Sequence, residues 1–334
     1  TDRLMPVKGW QFAGSYSLGG SQVALKSQAV SIGHNVVFMG SGPLLYLVAS
    51  QYVEAGANVV AVLDTAPYSA RIKALPDLLA VPSVLWNGVT LTMKLKRAGV
   101  AVHNGITPLE IIGNADSGVS AVRFRTGAGT EQDIVCDAVA MGHHLRPETQ
   151  LADLARCAFA FDPGTRQWLP ERDSDGRSSV AGVYLAGDGA KILGARSAEA
   201  SGRLAALAAL ADLGLPVDKG EMASLRGDVG TYAKFARGLA KAFPWPSHQA
   251  SQLPDDAILC RCEGVTAGDL RGIMRETGAK EVSRVGMGRC QGRYCGLAAA
   301  ELIAAEADIP IEQVGRLRGQ APVKPLTIAI GDDQ

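Results

Sequence analysis

The stretch NVVFMGSGPLLYLVASQYVEAGANVVAVLD, residues 35–64, restricts the possible folds more than any other part of this sequence. An apolar strand is followed by a glycine turn, a helix and a second apolar strand. This order predicts a βαβ unit, in which the two strands lie parallel in one sheet and the helix packs over that sheet. We therefore expect an α/β protein.

The glycine turn of this unit carries part of a nucleotide-binding pattern. Gly40 permits a tight turn, and Gly42 lets the backbone approach a pyrophosphate that faces the start of the helix. Asp64 ends the second strand, where a carboxylate suits a ribose 2′-hydroxyl. The third glycine of the usual pattern is Leu45 here. Two interpretations stay open: a site for a dinucleotide or adenylate, and a glycine turn that binds no ligand.

Other elements are predicted before and after this unit. A helix is expected over residues 21–30, and residues 119–127 and 130–142 alternate like strands of a hairpin or meander. VAGVYLAGDG, residues 180–189, is predicted to be a buried strand that runs towards an Ala-rich helix, residues 197–214.

Asp188 lies at the carboxyl end of that predicted strand. Ligands of open α/β sheets bind at this end of the strands. The side chain is therefore a candidate to accept hydrogen bonds from the ribityl hydroxyls of a flavin. A helix-capping role is the alternative.

Four of the six cysteines lie in the stretches LCRCEGVTAGDL and GMGRCQGRYCG: Cys260, Cys262, Cys290 and Cys295. Structural zinc sites usually use pairs of cysteines separated by two to four residues, which Cys260 and Cys262 do not match. A disulfide between these two neighbours would be strained. An iron–sulfur cluster needs four thiolates on flexible loops, which this segment offers. The spacing favours an iron–sulfur cluster and leaves zinc open.

Features around these cysteines agree with a negatively charged centre. Thr266 and Asp269 resemble a helix capping box, and a helix is expected to begin after Cys295. Three arginines interleave with the cysteines and either offset the charge of a cluster or form solvated surface: Arg261, Arg289 and Arg293. Four other residues are predicted to be structural: Cys136, Cys157, His143 and His144.

Charge and hydropathy exclude two classes of protein. Thirty-three basic residues balance thirty-three acidic ones, which argues against a general nucleic-acid binder. No apolar run reaches the roughly 18–20 residues needed to cross a bilayer, and TDRLMPVKGW lacks the apolar centre of a secretory signal. These features predict a cytoplasmic protein without a transmembrane segment, in which thiols stay reduced.

Several stretches together resemble a known family. LCRCEGVTAGDL with GMGRCQGRYCG is similar to the BFD-like [2Fe–2S] domain. GWQFAGSYSLGGSQVALKSQ, MGHHLRPETQLADLA and GVYLAGDGAKILGARSAEASGRLAAL resemble the FAD-dependent pyridine nucleotide–disulfide oxidoreductase fold. Their order resembles the A (α) subunits of opine oxidases, hydrogen cyanide synthase and D-hydroxyproline or proline dehydrogenase complexes, over nearly the whole chain.

The resemblance implies roles for individual residues. It makes the four clustered cysteines the ligands of a [2Fe–2S] cluster. It matches Gly187 and Asp188 to the family's second flavin motif, and Gly189 and Gly194 beside them are further candidate cofactor-binding residues. The turn residues that match the inserted nucleotide-binding domain, whose ligand would be NAD or an adenine nucleotide, are Gly40, Gly42 and Pro43.

The implied architecture has two Rossmann-type nucleotide-binding domains, the first of them incomplete, and a small α-helical [2Fe–2S] domain. The implied boundaries are a flavin domain at 1–32 and 137–245, an inserted domain at 33–136, a linker at 246–256, a cluster domain at 257–312 and an extended tail at 313–334. The family's strand and G-x-G-x-x-G turn for FAD should precede Thr1. FAD binding by this chain alone is therefore left open.

The resemblance also implies a function. The chain would be the electron-transfer subunit of a hetero-oligomeric, flavin-dependent amino-acid or opine dehydrogenase. A flavin-bearing, amine-oxidising β subunit would act on the substrate, and this chain would pass electrons through FAD and the cluster. Two alternatives remain: a stand-alone NAD(P)H-dependent FAD/Fe–S reductase, and a non-enzymatic Fe–S carrier.

Overall fold

A computed structural model of the chain describes residues 1–277, 283–321 and 323. These residues form two compact units. The first unit comprises Thr1–Arg146, Pro163–Gln167 and Thr231–Arg316. The second comprises Pro147–Asp162, Trp168–Gly230 and the described residues from Leu317 onward. The domain boundaries predicted from the sequence differ from this division and stay a prediction.

The helices and strands follow one another along the chain. The elements up to the end of the central sheet are β1 (Ser15–Ser17), α1 (Leu18–Gln28), β2 (Asn35–Ser41), α2 (Pro43–Glu54), β3 (Asn58–Asp64), α3 (Tyr68–Leu78), α4 (Pro82–Arg97), β4 (Ala101–Asn104), β5 (Thr107–Asn114), β6 (Gly118–Arg125), β7 (Glu131–Val135) and β8 (Ala138–His143). The later elements are α5 (Gln150–Leu154), β9 (Phe159–Asp162), β10 (Gln167–Pro170), α6 (Ala195–Asp212), α7 (Lys219–Ala242), α8 (His248–Ser251), β11 (Ile258–Cys260), β12 (Val265–Thr266), α9 (Ala267–Thr277), α10 (Cys295–Ala307) and α11 (Ile311–Val314).

A five-stranded sheet in the order β1-β8-β2-β3-β4 forms the centre of the first unit. Every pairing in it is parallel. The predicted βαβ unit is confirmed as β2, α2 and β3. Apolar clusters pack on both faces of the strands, as the continuous apolar runs of β2 and β3 require. The carboxyl ends of the strands therefore meet at one edge of the sheet.

The predicted hairpin after this unit is confirmed only in part. β6 pairs antiparallel with β7, but β7 ends at Val135 and β8 joins the parallel sheet beside β2. The carboxylate of Asp137 accepts hydrogen bonds from the backbone N–H groups of His34 (2.9 Å) and Asn35 (2.7 Å). These bonds turn the chain between β7 and β8, so residues 130–142 form two strands rather than one.

The helix starts near the cysteines agree with the sequence. The N–H of Asp269 donates to Thr266 Oγ1 (3.0 Å), and the N–H of Thr266 donates to Asp269 Oδ2 (2.9 Å). The predicted capping box is therefore confirmed at the start of α9. The predicted helix start after the fourth cysteine is also confirmed, since α10 begins at Cys295. At the other end of the chain, α1 begins three residues earlier than expected because the Ser17 side chain caps it.

The segment predicted as a linker, 246–256, is packed. It contains α8, and Ala250 and Leu253 lie in the same buried apolar cluster as Cys260 and Cys295. Arg271 of α9 donates to the carbonyls of Leu253 (2.8 Å) and Ser251 (3.1 Å). The segment is therefore part of the core around the cysteines.

The strand predicted at 180–189 in the second unit is wrong. The segment makes an isolated bridge at Tyr184 and then a short 3₁₀ turn at Gly187–Gly189. Its backbone bonds run to separate places: from Leu185 N–H to the Gly176 carbonyl (2.7 Å), from Ser178 N–H to the Val183 carbonyl (2.9 Å) and from Glu148 N–H to the Asp188 carbonyl (2.9 Å). These scattered bonds do not form the ladder of a sheet strand, although the helix predicted after it is present as α6.

Two further predictions concern membrane-spanning segments and the tail. In the part of the chain that the structure describes, no helix combines the length and hydropathy needed to cross a membrane. The predicted tail at 313–334 lies largely outside the described residues, and its first residues belong to α11.

Candidate functional site

Two loops of the first unit carry the four predicted cluster ligands. Cys260 ends β11, and Cys262 lies in the turn that leads to β12. Cys290 lies in the loop before α10, and Cys295 is the first residue of that helix. Cys260 and Cys295 are 1% and 2% exposed, Cys290 is half-buried and Cys262 is exposed. All four are free thiols.

The four thiols contact one another. Cys290 shares side-chain hydrogen bonds with Cys295 and Cys262, and Cys295 also shares one with Cys260. The two loops touch so closely that a Cβ atom at position 288 would lie 2.4 Å from Cβ of Cys262, so Gly288 is needed there. The structure therefore brings together the cysteines that their spacing singled out.

Within residues 1–277, 283–321 and 323, no group of three or more His, Cys, Asp or Glu side chains has an arrangement that could hold a metal ion. The four thiols form a continuous chain of contacts instead. Their donor set is chemically suited to iron and sulfide. Their role as ligands stays a proposal.

Hydrogen-bond donors converge on the sulfur of Cys290. The thiol of Cys295 has the largest effect, and the backbone N–H of Tyr294, the thiol of Cys262 and the N–H of Gly292 add to it. Together they lower the pKa of Cys290 to about 5. The same contact raises the pKa of Cys295, and burial raises that of Cys262. A sulfur with this many donors is stabilised as a thiolate, the form that binds metals.

Two of the three arginines that interleave with the cysteines have defined contacts. The guanidinium of Arg261 lies 5.8 Å from the centre of the Trp10 ring, and Arg293 donates to the carbonyl of Cys290 at 3.3 Å. Arg289 is exposed. Arg146, which the sequence pattern did not mark, donates from Nη1 to the carbonyls of Gly292 and Arg293, both at 3.2 Å.

The predicted nucleotide turn lies at the carboxyl edge of the parallel sheet. A Cβ atom at Gly40 would lie 1.8 Å from the carbonyl oxygen of Gly142 on β8, so this glycine is needed for the two strands to pair. Gly42 has a φ of +111° and precedes α2, whose first residue is Pro43. Leu45, at the third position of the pattern, is fully buried in the core. The start of α2 thus has the position that phosphate binding requires.

Asp64 does not present a free carboxylate at this edge. It is 0% exposed. Its Oδ2 accepts hydrogen bonds from the hydroxyl of Tyr46 (2.7 Å) and from Arg71 (2.6 Å), and its Oδ1 accepts one from the N–H of Ala66 (2.8 Å). Arg71 also donates to Asn104 at the end of β4 (2.9 Å). The predicted ribose contact would require Asp64 to leave this network.

Burial raises the pKa of the Asp64 carboxyl, and the charge of Arg71 and the bond from Tyr46 act against that rise. The Arg71 guanidinium lies 5.0 Å from the ring centres of both Tyr46 and Phe243. The network is thus a paired, largely buried charge cluster beside the turn. The sequence did not reveal it, because its members come from separate elements.

The two histidines after β8 are enclosed. His144 Nε2 lies 2.7 Å from the carbonyl oxygen of Phe243, and the His143 ring packs edge-on against Trp245 at 5.6 Å. Burial lowers the pKa of His143 to about 3 and that of His144 to about 4. These contacts within the fold agree with the predicted structural role. Cys136 and Cys157 are also buried, as predicted.

The predicted flavin motif lies in the second unit. Gly187, with a φ of +52°, donates from its N–H to Ser201 Oγ on α6 at 3.0 Å. Asp188 is exposed, and its carbonyl accepts a bond from the N–H of Glu148 (2.9 Å). Gly194, not Asp188, is the N-cap of α6. The helix-capping alternative for Asp188 is therefore wrong, and its flavin role stays a prediction, as does that of Gly189.

Known proteins show clear similarity to this chain. Residues 1–206 match the pyridine nucleotide-disulphide oxidoreductase family. The A subunit of opine oxidase from Agrobacterium tumefaciens (strain Ach5) is 39% identical over 343 residues, which cover 98% of this chain and 67% of that protein. The HcnB subunit of hydrogen cyanide synthase from Pseudomonas aeruginosa is 30% identical over 340 residues, with coverages of 97% and 72%.

Among solved structures, L-proline dehydrogenase from P. horikoshii superposes with a TM-score of 0.64 at 16% identity. The superposition covers 98% of this chain and 56% of that chain. At this identity the likeness shows a shared fold. The chain spans 64% of the length of the corresponding opine oxidase protein from Rhizobium meliloti, at 38% identity.

Proposed function

Because this chain belongs to the pyridine nucleotide-disulphide oxidoreductase family, we propose that it is the electron-transfer subunit of a flavin-dependent opine or amino-acid dehydrogenase. The observation that carries this proposal is the continuous chain of contacts that joins the four cysteine thiols. The names of the similar opine oxidase and hydrogen cyanide synthase chains, each a subunit of a larger enzyme, support a hetero-oligomer.

The surroundings of the thiols support a cluster site. Cys260, Cys262, Cys290 and Cys295 would hold a [2Fe–2S] cluster, which supplies one-electron redox chemistry when bound. Cys260 and Cys295 lie in an apolar core that keeps water from their sulfurs. Helix α10 begins at Cys295, and the dipole of this helix stabilises negative charge at its N-terminus.

The family membership supports FAD as the second cofactor. Gly187, Asp188, Gly189 and Gly194 would contribute to its site. The partner subunit would remove two electrons and two protons from the carbon–nitrogen bond of the substrate. This chain would carry the electrons to an external one- or two-electron acceptor.

The proposal is tested by chemical analysis of the unmodified protein purified without oxygen. We expect about two iron atoms and two acid-labile sulfides per chain, and visible absorption that bleaches on reduction. Stoichiometric zinc without labile sulfide would overturn the cluster assignment.

A second prediction concerns the nucleotide turn. Gly42→Val should abolish binding of an adenine nucleotide, because a side chain here occupies the path of the phosphate and approaches His144 Nδ1, which a Cβ atom would meet at 3.3 Å. Asp64→Ala should weaken binding less, since its carboxylate faces Tyr46 and Arg71. Calorimetric titration with NAD, NADH, ATP and ADP measures both effects.

Gly56→Val is the matched control for this prediction. Gly56 also has a positive φ, +81°, but a Cβ atom there meets nothing within 4 Å. It lies before β3, at the opposite end of the strand from Asp64. It should therefore reproduce the backbone strain and leave binding intact. If the unmodified protein binds none of the four nucleotides, the turn is structural only.

A further inference from the structure

Arg146 links the central sheet to the cysteine loop. It lies three residues beyond the end of β8, and its backbone N–H donates to the carbonyl of Thr1 at 2.8 Å. Its guanidinium Nη1 donates to two successive carbonyls, those of Gly292 and Arg293, at 3.2 Å each. Both carbonyls belong to the loop between Cys290 and Cys295. One side chain thus fixes the orientation of two neighbouring peptide planes.

The orientation of these planes determines where their N–H groups point. The carbonyl of Arg293 and the N–H of Tyr294 belong to one trans peptide, so they point in opposite directions. Arg146 holds the carbonyl, and the Tyr294 N–H is directed at the sulfur of Cys290. In the preceding peptide Arg146 holds the carbonyl of Gly292, and the opposed N–H, that of Arg293, donates to the Cys290 carbonyl at 3.0 Å.

The backbone of the loop makes this arrangement tight. Gln291 and Gly292 have φ values of +49° and +72°, both in the left-handed region. This turn lets the N–H of Gly292 also reach the Cys290 sulfur. Successive N–H groups in a turn form a concave site for negative charge. The N–H groups of Gly292 and Tyr294 therefore both point at the Cys290 sulfur. The guanidinium of Arg146 holds the loop through two of its carbonyls.

We propose that Arg146 is a positioning residue that aims the N–H donors at the Cys290 sulfur and thereby sets the reduction potential of the cluster. The inference rests on the function proposed above. Reduction adds one negative charge, and hydrogen bonds to the ligand sulfurs stabilise that charge and raise the potential. A variant that loses the contacts of Arg146 with the loop carbonyls should therefore favour the oxidised form of the cluster.

Two substitutions separate positioning from simple charge. Arg146→Gln removes the charge and the two-carbonyl contact. Arg146→Lys keeps the charge but ends in a strongly hydrated ammonium on a flexible stem, which does not hold a donor in the fixed place of Nη1 between the two carbonyls. If positioning governs the potential, both variants shift it to more negative values. We expect at least a tenfold change in the one-electron equilibrium, which equals about 59 mV.

The test is a redox titration of the anaerobically purified protein, followed by visible and electron paramagnetic resonance spectra. Arg123→Gln is the control, because Arg123 is a positive residue of the same unit that pairs with Asp133 on the β6–β7 hairpin (2.9 Å). It should leave the potential and the spectra unchanged. Circular dichroism verifies that each variant is folded.

The outcomes distinguish this inference from the function on which it rests. Unmodified protein without iron and labile sulfide would overturn both. A cluster in the unmodified protein whose potential is unchanged in both Arg146 variants would overturn the inference alone. Full recovery of the potential in Arg146→Lys would also overturn it, because charge and not peptide orientation would then be responsible.

Discussion

Replacing Cys290 with serine is expected to remove most of the iron and labile sulfide from the purified protein. The Cys290 sulfur contacts both Cys262 and Cys295 and receives the backbone N–H groups of Gly292 and Tyr294. A serine hydroxyl has a far higher pKa than a thiol and is a harder ligand, so it holds iron and sulfide poorly. Iron and sulfide analysis with visible absorption measures the loss.

Cys157→Ser is the control for this substitution. Cys157 is also buried, but it lies in an apolar cluster of the second unit. Its replacement should lower stability without changing the iron content per folded chain. Iron and sulfide at the unmodified level in Cys290→Ser would show that this thiol is no ligand.

Local signals account for what the sequence predicted correctly. The βαβ unit follows from two apolar strands on either side of Gly40 and Gly42. The capping box follows from Thr266 and Asp269, three residues apart. In each case the groups that determine the structure are neighbours in the chain, so a short window of sequence contains the whole cause.

Contacts between distant residues account for the errors. Residues 130–142 divide into two strands because Asp137 bonds to His34 and Asn35. The Pro-rich segment at 246–256 is packed because Ala250 and Leu253 meet the buried side of the cysteine region. The local sequence predicts a strand in one place and a linker in the other. It does not show which distant residues these segments contact.

The candidate site was also predictable from the sequence only in part. The cysteine spacing and the position of Asp64 at the edge of the sheet were readable from the sequence. That Tyr46 and Arg71 bind the Asp64 carboxylate was not, because the three residues lie on different elements. The contacts of Arg146 could not be predicted either, because its partners Gly292 and Arg293 are far away in the chain.

The proposed oxidation of a carbon–nitrogen bond requires a carrier that accepts two electrons. Oxidation of a carbon–nitrogen bond releases two electrons, whereas iron–sulfur centres exchange one at a time, so a flavin must couple the two processes. The enclosed His143 and His144, with pKa values lowered to about 3 and about 4, are neutral at pH 7. Contacts within the fold occupy both rings: His143 packs against Trp245, and His144 Nε2 lies 2.7 Å from the Phe243 carbonyl oxygen.

We therefore expect no opine or amino-acid dehydrogenase activity from this chain alone, and dye-linked activity when it is coexpressed with a flavin-bearing, amine-oxidising partner. The partner would supply the site of carbon–nitrogen oxidation, and this chain would supply the path to the dye. Steady-state assays with a set of opines and amino acids, on the single chain and on the copurified complex, measure the difference.

The Cys290→Ser complex is the control: if electrons leave through the cysteine site, it should bind the partner but lose dye reduction. Substrate turnover by the purified single chain would contradict this division of labour, and NADH–dye activity of that chain would favour a self-contained reductase instead.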